Sequence, residues 1–129
     1  MTPLRRILET SIYADDLAAA ERFYCGLLGL EKISSNARNL FLRVGEDVLL
    51  IFRPEESLKP GEVPAHGARG PGHFAFAVTH AELDAWRSAL PERGIAIEHE
   101  HLWPNGARSL YFRDPAGNSV ELATKEIWR

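Results

Sequence analysis

Apolar and polar positions along the chain spell out one order of elements and then spell it again. Residues 6–13 form a strand-like run with Ile7, Leu8 and Ile12 as its apolar positions, and Asp15-Asp16 follows, where an aspartate can cap the first free amides of a helix. Leu17, Ala20, Tyr24, Leu27 and Leu28 then recur at helical spacing, and Gly29 stands where a left-handed residue commonly ends a helix. Residues 30–34, 40–44 and 48–53 predict three further strands, the last two separated by Gly45-Glu46-Asp47. The first half therefore reads β-α-β-β-β over residues 4–53.

Residues 54–72 hold Pro54, Pro60, Pro64 and Pro71 with Gly61, Gly67, Gly70 and Gly72, too many breakers for a helix or an interior strand. This stretch is expected to be a connector. The pattern then restarts over residues 73–127. His73-Phe74-Ala75-Phe76-Ala77-Val78 is a strand, and Thr79 with Glu82 three residues on forms a capping box. Leu83, Trp86 and Leu90 make the buried stripe of that helix before Pro91 and Gly94. Strands follow at residues 95–100, 109–113 and 119–124, the last two joined by the turn Asp114-Pro115-Ala116-Gly117-Asn118. The distance from Glu9 to Gly29 is 20 residues and from His73 to Gly94 is 21, which supports a structural repeat. An α+β fold results: paired βαβββ modules forming a cupped mixed β-sheet with helices outside, the two concave faces enclosing a cleft.

Three polar residues stand where a core-facing strand should be apolar: Glu9, His73 and Glu121. Singly, each reads as an ordinary exposed or strand-end residue. Together they differ, because Glu9 and His73 occupy corresponding places in the first strand of each half and Glu121 lies in the last strand of the second. A pseudo-twofold arrangement brings such places to one cleft. Two carboxylates and a neutral imidazole suit a divalent cation, with Mn²⁺, Fe²⁺, Ni²⁺ or Mg²⁺ favoured about as well as Zn²⁺. Ser11 projects from the same face as Glu9 by strand alternation and is a candidate for substrate contact.

Composition narrows the class of function. The chain has 129 residues, 45% hydrophobic and 26% charged, with a formal charge of −3 and no basic stripe, so nucleic acid is not an expected partner. The longest apolar runs are far too short to span a membrane. A single cysteine, Cys25, admits no internal disulfide, and the N-terminal residues lack the apolar stretch of a secretion signal, so the cytoplasm is the expected location. Neither half of about 60 residues buries much surface alone, so the halves are expected to pair, within one chain or across a homodimer.

Longer phrases carry a family likeness. Glu9-Thr10-Ser11-Ile12-Tyr13-Ala14-Asp15-Asp16-Leu17, Glu21-Arg22-Phe23-Tyr24 with Leu27-Leu28-Gly29-Leu30, Gly72-His73-Phe74-Ala75-Phe76, and the run from Tyr111 through Asp114-Pro115-Ala116-Gly117-Asn118 to Glu121-Leu122 resemble the vicinal oxygen chelate superfamily. That is the glyoxalase I, bleomycin-resistance and extradiol-dioxygenase group. The resemblance implies a metal held by Glu9, His73 and Glu121 and a small-molecule substrate whose neighbouring oxygens chelate it. Glu9 departs from the histidine or glutamine usual at its position. The fourth protein ligand of glyoxalase I would fall in Val48-Leu49-Leu50-Ile51-Phe52, which offers none, so a three-ligand site fits better.

Tyr111, ten residues before Glu121, matches the active-site tyrosine of three-ligand members and is expected to donate a hydrogen bond or exchange a proton at bound substrate. Arg108 and Arg113 flank it, and Arg108 is the candidate to hold a substrate anion. His99 and His101 share a strand face; one could serve as an acid-base group, although a solvated strand is the commoner reading. His66 and His80 read as surface residues. Fosfomycin is a poor first guess for substrate, since only Ser109 of the loop before Tyr111 matches that group clearly. The alternative function is a metal-free protein that sequesters a ligand in the cleft.

Overall fold

The computed structural model describes residues 1–129, which divide into two compact units, 1–69 and 70–129. Each is an α+β unit built on a four-stranded mixed sheet, so βαβββ occurs twice. No helix is long and apolar enough to cross a membrane.

The first unit contains β1 (Glu9–Tyr13), α1 (Leu17–Glu21), β2 (Glu31–Ser35), β3 (Asn39–Val44) and β4 (Asp47–Phe52), in the sheet order β1-β4-β3-β2. β1 runs parallel to β4, and the remaining pairs are antiparallel. The Asp16 side chain accepts from the Ala19 amide and starts α1, as its position before the apolar stripe predicts. The helix then departs from expectation. Residues Arg22–Leu27 form a π-helix, with the Leu28 amide bonded to the Phe23 carbonyl five residues back. The wider turn still presents Ala20, Phe23 and Tyr24 inward, where they are buried with Leu40, Leu42, Leu49 and Ile51 of the sheet. On the opposite face of β1 and β4 lie Glu9, Ser11, Tyr13, Val48, Leu50 and Phe52.

β1 is shorter than the run 6–13 suggests. Ile7 and Leu8 are exposed, and Arg6 instead pairs with Glu46 and Asp47 at the β3–β4 turn. The connector also contains a helical turn where none is expected: α2 (Pro54–Ser57) begins on Pro54. Proline is tolerated there because the first helical residue needs no amide donor.

The second unit contains β5 (His73–Val78), α3 (His80–Glu92), β6 (His99–Leu102), β7 (Arg108–Arg113), β8 (Ser119–Thr124) and a final 3-10 turn, Lys125–Trp128, in the sheet order β5-β8-β7-β6. β5 is parallel to β8. Even-numbered residues of these strands, among them Val78, Leu110, Phe112, Val120 and Leu122, are buried on the face that α3 covers with Leu83 and Leu90. Odd-numbered residues face the other way.

α3 runs through Pro91 and ends in a Schellman arrangement: Gly94 has φ 77° and the Ile95 amide bonds to the Leu90 carbonyl at 2.9 Å. Ile95 is thereby buried against the helix end instead of opening a strand, which is why β6 starts at His99 and not at 95. At the other end the capping box is complete. Thr79 Oγ1 accepts from the Glu82 amide at 3.1 Å, and Glu82 Oε1 accepts from the Thr79 amide at 3.0 Å. These bonds hold the Glu82 carboxyl below the usual glutamate range. Because the folded value is the lower one, the box is intact above the unfolded glutamate range and weakens as pH falls through the folded value. Thr79→Ala should cost about 1 kcal/mol in urea unfolding at neutral pH, and an unchanged midpoint would count against the cap.

Candidate metal and substrate face of the second unit

The site is assembled by the turn that joins β7 to β8. Asp114, buried, accepts at Oδ1 from the Ala116 and Asn118 amides at 3.0 and 2.9 Å, and at Oδ2 from Asn118 Nδ2 at 2.9 Å. Gly117 has φ 88°, the left-handed turn position that favours glycine. Asn118 Oδ1 in turn accepts from the Gly72 amide at 2.8 Å, and the Ser119 amide bonds to the Gly72 carbonyl at 2.8 Å. A side chain at residue 72 would meet Asn118 Oδ1 at 3.2 Å. The Asp-Pro-x-Gly-Asn sequence thus fixes the start of β5 beside β8 and sets His73 opposite Ser119.

His73 and Glu121 lie on the odd-numbered face, with His73 Nε2 3.2 Å from Glu121 Oε1. The imidazole is half exposed and the carboxylate almost fully buried. His73 Nδ1 lies 3.1 Å from the Ser119 carbonyl and, since a carbonyl only accepts, it carries the hydrogen. Nε2 is thereby the nitrogen turned toward Glu121. Nε2 and Glu121 Oε1, 3.2 Å apart, are placed to share a proton or a bound cation. With metal bonds of about 2.1 Å, a 3.2 Å separation subtends roughly 100°, between octahedral and tetrahedral values. The donor pair therefore fits a divalent ion, and the carbonyl on Nδ1 is the type of outer partner that orients a ligating histidine.

The other carboxylate oxygen is held as well. Ser109 Oγ donates to Glu121 Oε2 at 2.6 Å, and Trp103 Nε1 donates to Ser109 Oγ at 3.0 Å. Sequence reading passes over this relay. Its signal is a serine two residues before Tyr111, polar on the same face of an otherwise apolar strand, but the tryptophan lies six residues away across a turn.

Tyr111 stands directly opposite Glu121 in the β7–β8 register, its ring nearly parallel to His73 with centroids 6.2 Å apart. Burial raises its phenol above the usual range, and the charge of Glu121 and a hydrogen bond to it raise it further. The phenol is accordingly a donor. Beyond it, the His99 ring centroid is 5.8 Å from Tyr111, His99 Nε2 is 3.3 Å from His101 Nδ1, and His101 packs edge-on against Trp103.

Arg108 lies elsewhere. Its even position turns it to the α3 face, where Nη2 donates to Asp84 Oδ1 at 2.6 Å, so it is not brought to Tyr111 or Glu121. Arg113 has the right parity but is engaged with Glu98 and the Gly117 carbonyl. Glu9 and Ser11 share the exposed face of β1 in the first unit. Val48, Leu50 and Phe52 of β4 share that face and carry no ligating atom, in keeping with the absence of a fourth ligand. No group of three ligating side chains gathers within either unit. His80 pairs with Glu126, and His66 with Tyr13.

Comparison with known proteins places this geometry in context. Residues 6–122 match the model of the Glyoxalase/Bleomycin resistance protein/Dioxygenase superfamily. A catechol-2,3-dioxygenase of Bacillus subtilis (strain 168) is 34% identical over 104 residues, 78% of this chain and 35% of that protein. The metallothiol transferase FosB of Bacillus licheniformis is 29% identical over 82 residues, 63% of this chain and 51% of that protein. The chain thus spans about a third of the first relative and half of the second. Among solved structures, a lactoylglutathione lyase from Agrobacterium tumefaciens superposes with a TM-score of 0.95 at 44% identity, covering 98% of each chain.

Proposed function

Since the chain belongs to the glyoxalase/bleomycin resistance/dioxygenase superfamily, we propose that it is a small-molecule metalloenzyme whose second module binds a divalent ion through His73 and Glu121. The observation that carries this reading is the 3.2 Å approach of the His73 Nε2 atom to a buried carboxylate oxygen, each side chain oriented from behind by its own hydrogen bond. On the sequence pattern alone, Glu9 is assigned as the further protein ligand. When bound, the metal supplies Lewis acidity to a substrate with two adjacent oxygens, favouring its enolate or catecholate form.

What the chain's own residues contribute follows from their chemistry. Ser109 and Trp103 hold the Glu121 carboxylate in one orientation, so little reorganisation is needed on binding. Tyr111, protonated, donates a hydrogen bond to negative charge that develops on substrate beside Glu121. The half-exposed His73 keeps one side of the pair open to solvent and ligand.

Relatives of this fold run different reactions, and the absence of a donor on the exposed face of β4 argues against a site with four protein ligands. We therefore favour a reaction in which three protein ligands leave adjacent positions for a bidentate substrate. Metal analysis of protein purified without chelator, followed by titration of the stripped protein with Mn²⁺, Ni²⁺ and Zn²⁺, tests the reading. Near-stoichiometric binding of at least one ion is expected; none binding above background would refute it. Ser109→Ala should weaken metal affinity by about 10- to 100-fold with a smaller change in unfolding midpoint, the effect typical of losing an outer partner. Equal affinity in the variant would remove Ser109 from the site.

A further inference from the structure

The two oxygens of the Glu121 carboxylate face different partners. Oε1 is turned to His73 Nε2, whereas Oε2 accepts from Ser109 Oγ at 2.6 Å. Ser109 and Glu121 are 1% and 6% exposed, so no solvent replaces that bond if the hydroxyl turns away. Giving up a charge-assisted hydrogen bond in such a place costs far more than it would at the surface.

Nor is the hydroxyl at liberty to turn. An indole nitrogen only donates, and Trp103 Nε1 donates to Ser109 Oγ at 3.0 Å, which fills the acceptor side of the serine and leaves its hydrogen for Glu121. The relay therefore has one direction, from indole to serine to carboxylate, with Oε2 as its acceptor. The indole is itself fixed. The Trp103 amide donates to the Ala107 carbonyl at 2.8 Å and the Gly106 amide returns to the Trp103 carbonyl at 2.9 Å, closing the β6–β7 loop with Gly106 at φ 87°. His101 packs against the ring with centroids 4.4 Å apart. Asn105 Nδ2 donates to the Glu126 carbonyl at 2.8 Å and ties the loop to the final 3-10 turn.

We propose, resting on the metal reading above, that Trp103 and Ser109 are positioning residues that make Glu121 a ligand through Oε1 alone and so select small divalent ions over large ones. A carboxylate that chelates with both oxygens must present both to the cation, and Oε2 can do so only by leaving Ser109. Ions of calcium size, with bonds of about 2.3–2.6 Å and six to eight ligand atoms, gain most from two-oxygen ligation. Ions with bonds of about 2.0–2.2 Å and four to six ligand atoms are served by one oxygen. The relay thus penalises a large ion more than a small one.

The test is calorimetric titration of the stripped full chain with Zn²⁺ and with Cd²⁺, an ion close to Ca²⁺ in size that also accepts imidazole. Every protein carries Cys25→Ser, so that the free thiol takes no metal. Infrared difference spectra between the loaded and stripped protein read the ligation directly: the two carboxylate stretches lie far apart for a one-oxygen ligand and close together for a two-oxygen one. The parent chain should show the wide separation with Zn²⁺. Ser109→Ala should lose about 10- to 100-fold in Zn²⁺ affinity, the effect typical of an outer partner, and much less in Cd²⁺ affinity, so that the preference for Zn²⁺ narrows by about tenfold or more. Trp103→Phe, which keeps a ring against His101 and removes the donor, should narrow it in the same direction by a smaller factor. Equal losses for the two ions in Ser109→Ala, an unchanged preference in Trp103→Phe, or two-oxygen stretches in the parent overturn the proposal while leaving the metal reading in place. A parent chain that binds neither ion refutes the metal reading, and the selectivity falls with it.

Discussion

A Glu121→Ala protein should stay folded and lose divalent-metal affinity by more than about 100-fold. The magnitude follows from rank: removing outer partners of a metal ligand commonly costs about 10- to 100-fold, and Glu121 is assigned as a ligand itself. Stability should fall by about 1–3 kcal/mol, because the buried Ser109 hydroxyl loses its acceptor while still accepting from Trp103. Calorimetric titration with Ni²⁺ or Mn²⁺, read beside a urea melt, separates the two effects. His73→Ala is the companion, and its loss should be of similar size. If both variants bind metal as the unsubstituted chain does, the pair is a structural histidine-carboxylate contact and the enzymatic reading falls.

The largest stability change is expected one position along β7 from Tyr111. Phe112 is fully buried on the α3 face, cross-strand from Val120, and Phe112→Ala should cost about 3–5 kcal/mol through lost burial and a residual cavity. Against a typical stability of about 5–15 kcal/mol, that is enough to populate unfolded chain measurably at moderate urea. Its folded fraction should still bind metal. Tyr111→Phe should do the reverse, shifting the urea midpoint slightly while depressing turnover, since only the phenolic donor is removed. A Phe112→Ala protein as stable as its parent would contradict the packing described for this sheet.

Much of the fold was legible because its elements obey strict periods. The capping box at Thr79, the aspartate cap at Asp16 and the strand parity around Glu121 are local signals, each tied to a hydrogen bond or a face. What escaped was decided by tertiary contacts. Ile95 has the residue type of a strand but is consumed by the end of α3, so β6 begins later. Ile7 and Leu8 look like strand residues yet their side chains are exposed, and only the Leu8 carbonyl reaches β4, accepting from the Val48 amide at 3.3 Å, so β1 begins at Glu9. The π-helix at Arg22–Leu27 leaves the spacing of Ala20, Phe23 and Tyr24 helical, so the apolar pattern does not betray it.

The candidate site divides along the same line. His73, Glu121 and Tyr111 could be named from position, and they converge because the turn 114–118 ties β5 to β8. Arg108 drew attention only as a neighbour of Tyr111 in sequence, whereas strand alternation sends adjacent residues to opposite faces. Ser109 and Trp103 were hidden for the complementary reason: their roles lie in a relay across a turn, which no spacing rule encodes.

In the second sheet, His73, His99, His101, Ser109, Tyr111 and Glu121 stand at odd positions, whereas the core residues Leu110, Phe112, Val120 and Leu122 stand at even ones. Heredity can therefore act on the two sets almost independently. A lineage could exchange Tyr111, His99, His101 or Ser109 one at a time while Leu110, Phe112, Val120 and Leu122 keep each intermediate folded, so new chemistry is reached without crossing an unfolded ancestor. A mutant library confined to the odd positions of β5 to β8 would sample that space directly.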